Sequence, residues 1–293
     1  GLADALAGSG GTGRGNVYLS DEDPKLVGEA LPFSLKLMET VLQEQPEHEG
    51  LLVAAATGFV SYAEMWVLRP ALHLEMKDYA AFRQGRARAK ALFLRARRYA
   101  GRALEVRHPG IEEALLRNPD SAIAELGVND LSAMYWFAAA HGRAVWTDLS
   151  DAALVVQAPT ITALLDRGLA LDESWNRGAF HELYIGVPDQ LGGNPEKAEE
   201  HYRKAMELNG GASVGPMVSL AEAVYLPQQN RKAFTRILNE VLAFDADRVP
   251  ETRLANVLAQ EQAAWLLSRA EELFWMESGR HEPERNSERR RIP

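Results

Sequence analysis

The chain has 293 residues, and its 46% apolar and 25% charged residues are ordinary values for a globular protein. Its 41 acidic and 32 basic residues give a formal net charge of −9, which argues against extended contact with nucleic acid. Because the chain has no cysteine, disulfides, thiolate catalysis and cysteine zinc sites are excluded. No uninterrupted apolar run approaches about 18 residues, so no membrane-spanning helix is predicted.

The N-terminal segment contains a glycine-rich stretch, 8–15, that spells the pattern G-x-G-x-x-G. A dinucleotide-binding turn needs a strand before the glycines and a helix directly after them, and neither pattern is present. A phosphate-binding lysine followed by serine or threonine is also missing. We therefore expect residues 1–19 to form a flexible linker, with at most a short helix over 2–6.

Helical periodicity begins at residue 20 and continues to about residue 275. Asp23 and Pro24 are typical of a helix start, because an acidic cap and an early proline both suit the first turn. The apolar face of this first helix is predicted at Leu26, Ala30, Phe33, Leu37 and Val41. A second helix is expected over 51–67, and no strand pattern stands out anywhere. The sequence therefore predicts one all-α domain over 20–275, followed by a polar, frayed tail over 276–293.

A long third helix is expected over 78–106, and its charge is unusual. From Arg83 to Arg107 it carries nine basic residues against one acid, Glu105. One interpretation is a solvated face whose charges are satisfied by acidic neighbours. The other is a docking surface for an acidic partner or for anionic headgroups. The sequence does not decide between these two interpretations.

The helix over 195–209 provides the repeating pattern. Ala198, Tyr202 and Ala205 are spaced i, i+4, i+7 and therefore share one face, which is typical of the second helix of a tetratricopeptide (TPR) repeat. Similar faces end at Asp172 and Asp245, on either side of Asn209. We therefore predict an α-solenoid of degenerate TPR-like helical hairpins, capped by a last helix over 251–274.

Several separate motifs carry a family resemblance. The sequence resembles the T component of TPR-associated TRAP transporters, the TatT-type lipoproteins of Gram-negative envelopes. The similarity extends over about residues 2–275. The motifs that carry it are the runs 21–42, 86–105, 134–145, 165–185 and 215–234.

This resemblance implies a non-enzymatic transport accessory of all-α fold. It implies attachment to the envelope membrane through an N-terminal lipid, a periplasmic location, and assembly into a homotrimer whose protomers are each perforated by a pore. The implied partner is the periplasmic substrate-binding protein (P component) of a TRAP transporter, and the implied ligand is hydrophobic or an organic acid. Because the chain starts at Gly1 and has no cysteine, we expect a targeting segment and the lipid-bearing residue to be missing from it.

Residues that line such a pore are expected on the first helix of each hairpin, which faces the concave side. His181 and Glu182 spell the start of a zinc-protease motif, but the required second histidine is Ile185, so no metal site is predicted. No cofactor is predicted either. The predicted ligand-contacting or pore-lining residues are Trp136, His181, Glu182, Tyr184, Ser219, Glu222, Tyr225 and Asn256.

Two of these residues, Glu182 and Glu222, occupy positions that are normally apolar or small. A buried carboxylate costs several kcal/mol unless it is paired or neutralised. Glu182 and Glu222 are therefore expected either in a structural network with His181, Arg253 or Asn256, or at the polar rim of an apolar passage.

Three functions remain open at this point. They are a transport accessory, a generic TPR adaptor of the cell envelope, and a helical hydrolase using His181 and Glu182. The hydrolase is disfavoured because no nucleophile or metal set accompanies these two residues. The adaptor is disfavoured because peptide-binding TPR grooves are rich in Lys, Arg and Asn, whereas the first helices here are apolar or acidic.

Overall fold

The computed structural model describes residues 1–10, 17–187 and 193–274, and every regular element in these ranges is helical. The prediction of an all-α fold is therefore confirmed. The α-helices of the first half are α1 (Leu2–Gly10), α2 (Pro24–Glu44), α3 (Glu49–Tyr62), α4 (Arg69–Leu72), α5 (Tyr79–Arg107), α6 (Ile111–Arg117), α7 (Pro119–Glu125), α8 (Leu131–Thr147), α9 (Ala152–Val155) and α10 (Pro159–Leu171). Those of the second half are α11 (Trp175–Ile185), α12 (Pro195–Asn209), α13 (Gly215–Leu220), α14 (Arg231–Leu242), α15 (Arg253–Ser268) and α16 (Ala270–Leu273).

Two π-helical turns interrupt this pattern. The first π turn (Ala63–Leu68) joins α3 to α4, and the second π turn (Ala221–Tyr225) follows α13 directly. A π turn inserts one extra residue into the helical hydrogen-bond pattern and often occurs at functional sites. Short 3₁₀ turns precede α8 and α15.

Helix α12 starts and ends where its sequence predicts. The Asn194 side chain accepts a hydrogen bond from the Lys197 backbone N–H at 2.8 Å, and Pro195 opens the helix. The helix ends at Gly210, whose φ of 61° is left-handed. Ala198 and Ala205 are buried, so the small-residue face packs inward as expected. Helix α12 packs mainly against α11; a repeat with TPR geometry stays a prediction.

The predicted core face of α2 is wrong by one position. The buried residues are Val27, Leu31, Leu35, Met38 and Leu42, whereas Leu26 and Phe33 are exposed to 55% and 73%. Two neighbouring apolar stripes run along this helix, and periodicity alone cannot choose between them. The position of one glycine distinguishes the two stripes. Gly28 lies directly beneath the Trp66 indole, where an added Cβ atom would come within 2.3 Å of Nε1.

The apolar interior is divided into two main cores. The first core is built by α1 to α3, α5 to α10 and α11, which contributes Phe180 and Tyr184, and Phe93 and Phe137 are among its fully buried side chains. The second core is built by α12 to α15, and Phe234 lies near its centre. Helix α11 joins the two, because Phe180 belongs to the first core and Ile185 to the second.

The two halves of the chain meet again at a second place. Val27 of α2 packs with Leu254 and Leu258 of α15 in a small separate cluster. The Leu254 backbone N–H donates to the Leu19 carbonyl oxygen at 3.0 Å, and Arg69 donates to the Leu258 carbonyl oxygen at 3.3 Å. Helix α15 was predicted to cap the stack, and it also returns to the N-terminal half of the chain.

Both ends of the chain differ from prediction. Residues 2–10 of the expected linker 1–19 form α1, which packs on α3, because Ala3 lies in the first core and is 2% exposed. The expected last helix over 251–274 is divided into α15 and α16 at Arg269. Residues 11–16 and the predicted tail over 276–293 lie outside the described residues.

Two helical stretches, 49–72 and 152–171, are long and apolar enough to cross a membrane by length and composition alone. The first stretch joins α3, the first π turn and α4, and most of its residues contribute to the first core. A core helix of a globular domain can be as long and apolar as a membrane span, and it is buried in the way seen here.

Candidate functional site

The Glu182 carboxylate lies between the two cores. Its Oε1 atom lies against Gly215 of α13, so closely that a Cβ atom added there would be only 2.5 Å away. Glu182 is half-buried, and its side chain makes no hydrogen bond or ion pair with any residue in the described ranges. Burial raises the pKa of this carboxyl to about 7. The alternative of a structural network with His181, Arg253 or Asn256 therefore has no support in these contacts.

Aromatic rings surround Tyr135, the tyrosine of α8 that interacts electrostatically with Glu182. The Tyr135 ring centroid lies 4.9 Å from that of Trp136, 5.3 Å from that of Trp175 and 5.5 Å from that of Phe180. Burial, and then the negative charge of Glu182, raise the pKa of the Tyr135 phenol. We call these four rings the aromatic cluster.

A left-handed turn fixes the position of Trp175 in this cluster. Asn176, Arg177 and Gly178 have φ values of 45°, 61° and 82°, so three consecutive residues are left-handed. Residues other than glycine adopt this conformation at a cost, and such strain is concentrated at functional sites. Gly178 is required here for space as well, because an added Cβ atom would lie 3.0 Å from Leu208 of α12.

The two π turns bring charged side chains together, in a group that we call the charged cluster. Glu64 of the first π turn accepts hydrogen bonds from Arg143 of α8, whose Nε and Nη2 atoms lie 2.7 Å and 2.6 Å from Oε2. Arg69 lies 3.7 Å from the other Glu64 oxygen. Glu222 of the second π turn accepts a hydrogen bond from Gln262 at 2.8 Å.

Glu222 interacts electrostatically with the rest of the charged cluster. Burial is the main cause of its raised pKa, and the negative charge of Glu64 adds to that effect. Arg69 and Arg143 act in the opposite direction. The cluster therefore holds two carboxylates and two guanidinium groups in a partly desolvated position between the two cores.

Two segments lead from the region of the aromatic cluster and Glu182 to the charged cluster. One is α8, and the other is α13 with the second π turn. On α8, Tyr135 faces Glu182, and Arg143 lies eight residues further on, which is about 12 Å along a helix. On the other side, Gly215 contacts Glu182, and Glu222 lies seven residues further on in the second π turn. The half-buried Ser219 lies between these two residues on the same helical face.

His181 and Tyr184 point away from Glu182, towards α12. His181 Nδ1 lies 2.7 Å from His201 Nδ1, and its Nε2 lies 3.2 Å from the Glu173 carboxylate. The Tyr184 ring stacks on His201 at 4.2 Å, and its hydroxyl donates to Asp166 at 2.7 Å. His181 therefore belongs to the packing of α11 on α12, whereas Tyr184 contacts both α12 and α10 and is part of the first core. Among the described residues, neither side chain bonds to Glu182.

Tyr225 and Asn256, the remaining predicted residues, also lie apart from Glu182. Tyr225 interacts electrostatically with Tyr202 and with charged residues of α12 and α14, on the outer side of the second core. Asn256 is fully buried: its side chain accepts from the Val214 N–H at 3.0 Å and donates to the Ala212 carbonyl at 2.9 Å. These bonds give Asn256 a structural role in holding the 210–214 turn, so we do not include it in the proposed site.

Glu64, Arg69 and Arg143 were absent from the residues predicted to form the site. Arg143 lies within one of the runs that carried the family resemblance, and that was a usable signal. Glu64 lay near the end of the second predicted helix, 51–67, and Arg69 lay just beyond it, where no site was predicted. No sequence pattern marks the π turn that directs Glu64 towards Arg143.

Some of the basic residues of α5 are paired with acidic residues of the chain. Lys90 lies 2.7 Å from Asp148 and 2.8 Å from Asp151, and Arg95 lies 2.7 Å from Glu39. Arg107 lies 2.7 Å from Glu49, so three of the nine basic residues between Arg83 and Arg107 are paired with carboxylates. Acidic neighbours thus neutralise part of this face, and both interpretations of it stay predictions. A cleft of about 380 Å³ between α2 and α5 includes Arg95 and Glu39.

Comparison of the sequence with known proteins identifies the family of the chain. A family model described as TAtT, TRAP transporter T-component, matches residues 20–274. The chain belongs to the TRAP transporter T-component family. A curated relative described as an uncharacterized protein of Treponema pallidum (strain Nichols) is 27% identical over 266 residues, which cover 88% of this chain and 82% of the relative.

Membership in this family assigns the T-component an accessory role in TRAP transport. It also associates the T-component with a TRAP transporter and places it among envelope-associated transporter components. The family is not a known enzyme class. In the described part of the T-component, no group of three or more His, Cys, Asp or Glu residues is arranged to hold a metal ion.

Proposed function

We propose that this T-component passes a ligand between its two cores while it holds the substrate-binding protein (P component) of a TRAP transporter. The observation that carries the proposal is the way the two cores are joined. They meet through α11 and again where α15 contacts α2 and α4, and half-buried polar groups lie between these two junctions. Polar groups in that position suit a passage with apolar walls.

The groups along this passage divide into two kinds. Glu182 and the aromatic cluster lie towards one end, and the charged cluster with Glu222 lies towards the other. Guanidinium groups such as those of Arg69 and Arg143 bind carboxylates well. A hydrophobic or organic-acid ligand, as the family resemblance implies, would therefore find both apolar and cationic partners.

The proposal includes assembly into a homotrimer and attachment to the envelope membrane, facing the periplasm, through an N-terminal lipid. Support for assembly comes from α2, where Leu26 and Phe33 form part of an apolar stripe that the chain itself leaves exposed. Exposed apolar patches of this kind mark protein interfaces. Phe33→Asp should reduce the trimer to monomers in native mass spectrometry, whereas Lys25→Asp, an exposed control on the same helix, should not.

Affinity capture tests the partner. The purified T-component, immobilised and exposed to a periplasmic extract, should retain a TRAP substrate-binding protein as the main species identified by mass spectrometry. Capture of unrelated proteins alone would instead favour a generic TPR adaptor.

Blocking the passage tests ligand transfer separately from docking. Ser219→Trp should abolish copurification of a small molecule in native mass spectrometry, because the larger indole should obstruct the proposed passage beside Ser219. Capture of the substrate-binding protein should be unchanged. Lys232→Trp, at an exposed position of α14, is the matched control and should retain the small molecule.

A further inference from the structure

We propose that the cleft between α2 and α5 binds a phosphate monoester through the side chains of Lys36, Arg95 and Arg102. The cleft is separate from the passage between the two cores, so this inference goes beyond the proposed function. Three observations carry it. The cleft has an excess of positive charge, one of its guanidinium groups has no carboxylate partner in the described ranges, and aromatic rings fix both arginines in place.

The cleft carries more positive than negative charge. Its volume is about 380 Å³, and its charged side chains are the three cations and a single carboxylate, Glu39. The Glu39 side chain is 11% exposed, lies 2.6 Å from Lys36 and 2.7 Å from Arg95, and accepts a hydrogen bond from the Tyr99 hydroxyl at 2.7 Å. Glu39 therefore offsets one of three positive charges. A phosphate monoester carries a charge of about −1.5 to −2 at neutral pH, which matches the excess of two.

Arg102 keeps donor groups for an anion. Its one hydrogen bond with the described residues runs from Nη2 to the Pro46 carbonyl oxygen at 2.8 Å, and none of their carboxylates pairs with it. Nε and Nη1 are thus left as donors. The Lys36 ammonium adds a further charge at the mouth of the cleft, where its side chain is 67% exposed. Guanidinium N–H groups form a planar fork that matches two oxygens of a phosphate.

Aromatic rings hold the two arginines in position. Arg95 and Arg102 are seven residues apart, so they share one face of α5. The Arg95 guanidinium carbon lies 5.1 Å from the Phe59 ring centroid, and that of Arg102 lies 5.5 Å from the Tyr99 ring centroid. The two rings are stacked on each other at 5.7 Å with an interplanar angle of 10°. Cations over ring faces are stabilised, and a preorganised site loses less entropy on binding.

Two small anions test the preference for phosphate. Glycerol 3-phosphate and glycerate have similar three-carbon bodies, but the first carries a phosphate monoester and the second a carboxylate. Titration calorimetry at neutral pH should show glycerol 3-phosphate binding at least about tenfold more tightly than glycerate.

Arg102→Gln should weaken the binding of glycerol 3-phosphate by about tenfold, because the guanidinium fork is lost. The bond to Pro46 is exposed to solvent, so water replaces it in the variant and the fold should be retained. Arg98→Gln is the matched control, since it removes the same charge from an exposed position of α5 outside the cleft. It should change the affinity by no more than about twofold.

Vesicle sedimentation identifies the source of the phosphate group. Phosphatidic acid has a phosphate monoester headgroup, so vesicles of phosphatidylcholine are compared with and without this lipid. For a membrane source, the protein should sediment with the phosphatidic acid vesicles alone, Arg102→Gln should not, and glycerol 3-phosphate should compete. Binding of glycerol 3-phosphate without sedimentation would assign a soluble phosphate ester to the cleft.

Three results would each overturn the phosphate site. They are equal affinity for glycerol 3-phosphate and glycerate, no binding of either glycerol 3-phosphate or phosphatidic acid vesicles, and equal losses in Arg102→Gln and Arg98→Gln. The last result would mean that the general positive charge of α5 attracts the anion. Circular dichroism checks that both variants are folded. Capture of the substrate-binding protein should be unchanged in Arg102→Gln, so the two proposals fail independently.

Discussion

His181 Nδ1 lies 2.7 Å from His201 Nδ1, so the two imidazoles share a single proton in a hydrogen bond between α11 and α12. The same His181 ring contacts Glu173 through Nε2, and His201 stacks flat on Tyr184. If both rings carried a proton on Nδ1, two N–H groups would face each other. The contact is therefore compatible with at most one proton at that position.

The environment of this pair should lower the pKa of His201. Burial is the main cause, followed by the positive charge of a protonated His181, and Lys197 acts in the same direction, whereas Glu200 and Asp166 oppose it. Histidine C–H resonances followed by NMR should place the His201 pKa below 6.5. His181→Phe should move it upward, since the repelling charge is lost. A His201 pKa that is the same in both proteins would contradict this coupling.

His141 should make the protein sensitive to acid. It is buried, its Nε2 lies 3.2 Å from the Leu154 carbonyl, and burial, aided by the charge of Arg97, lowers its pKa to about 4. The folded state therefore binds this proton less readily than the unfolded chain. The contribution of neutral His141 to the free energy of unfolding is fully present above about pH 6.5. As the pH falls towards 4, up to about 3 kcal/mol of that free energy is lost.

His141→Phe should reduce this acid loss, because the substituted ring cannot take up a proton. The Leu154 carbonyl keeps its hydrogen bond from the Gln157 N–H at 3.2 Å, so we expect a change of no more than about 1 kcal/mol at pH 8. Urea unfolding at pH 4.5 and pH 8 measures both quantities. An equal pH dependence in the two proteins would show that His141 does not contribute.

Gly168→Ala should destabilise the protein by about 1 to 3 kcal/mol. The added methyl group would lie 2.3 Å from the Phe180 ring, and Phe180 positions the start of the helix that carries Glu182. Gly142→Ala is the matched control, because its nearest neighbour, Ile161, would be 3.9 Å away. That substitution should stabilise α8 by about 0.5 to 1 kcal/mol through better helix propensity. Thermal unfolding of both variants tests the contrast in sign.

The pairing of Glu64 with Arg143 should be energetically significant. A double-mutant cycle with Glu64→Gln and Arg143→Met should give a coupling of about 1 to 3 kcal/mol, because both side chains are largely buried. The exposed pair Glu113 and Arg117, at 2.7 Å, is the control, and its coupling should be no more than about 0.5 kcal/mol. Equal couplings in the two cycles would mean that burial does not strengthen the Glu64 pair.

Local patterns were predictable from the sequence where a single side chain determines the outcome. The cap at Asn194, the stop at Gly210 and the small-residue face of α12 all follow from rules that act within one helical turn. The register of α11 and α13 also singled out Glu182 and Glu222 as carboxylates in packing positions. The structure places both of these residues between the two cores.

What the sequence could not provide depends on contacts between distant segments. The α2 face was misassigned because Leu26 and Val27 begin two stripes of similar periodicity, and only the fit of Gly28 under Trp66 separates them. The left-handed turn over 176–178 lies within an ordinary helical pattern. Similarly, His181 was assigned to the passage because nothing in its own helix shows that His201 lies beside it.

The contact between Leu19 and Leu254 has a consequence for how the molecule folds. It connects positions near opposite ends of the chain, so its closure carries a large loop entropy and contributes to a high contact order. The first core can form during synthesis, whereas this junction must wait until α15 has emerged. Truncation within α15 would therefore remove this junction between the two halves of the chain.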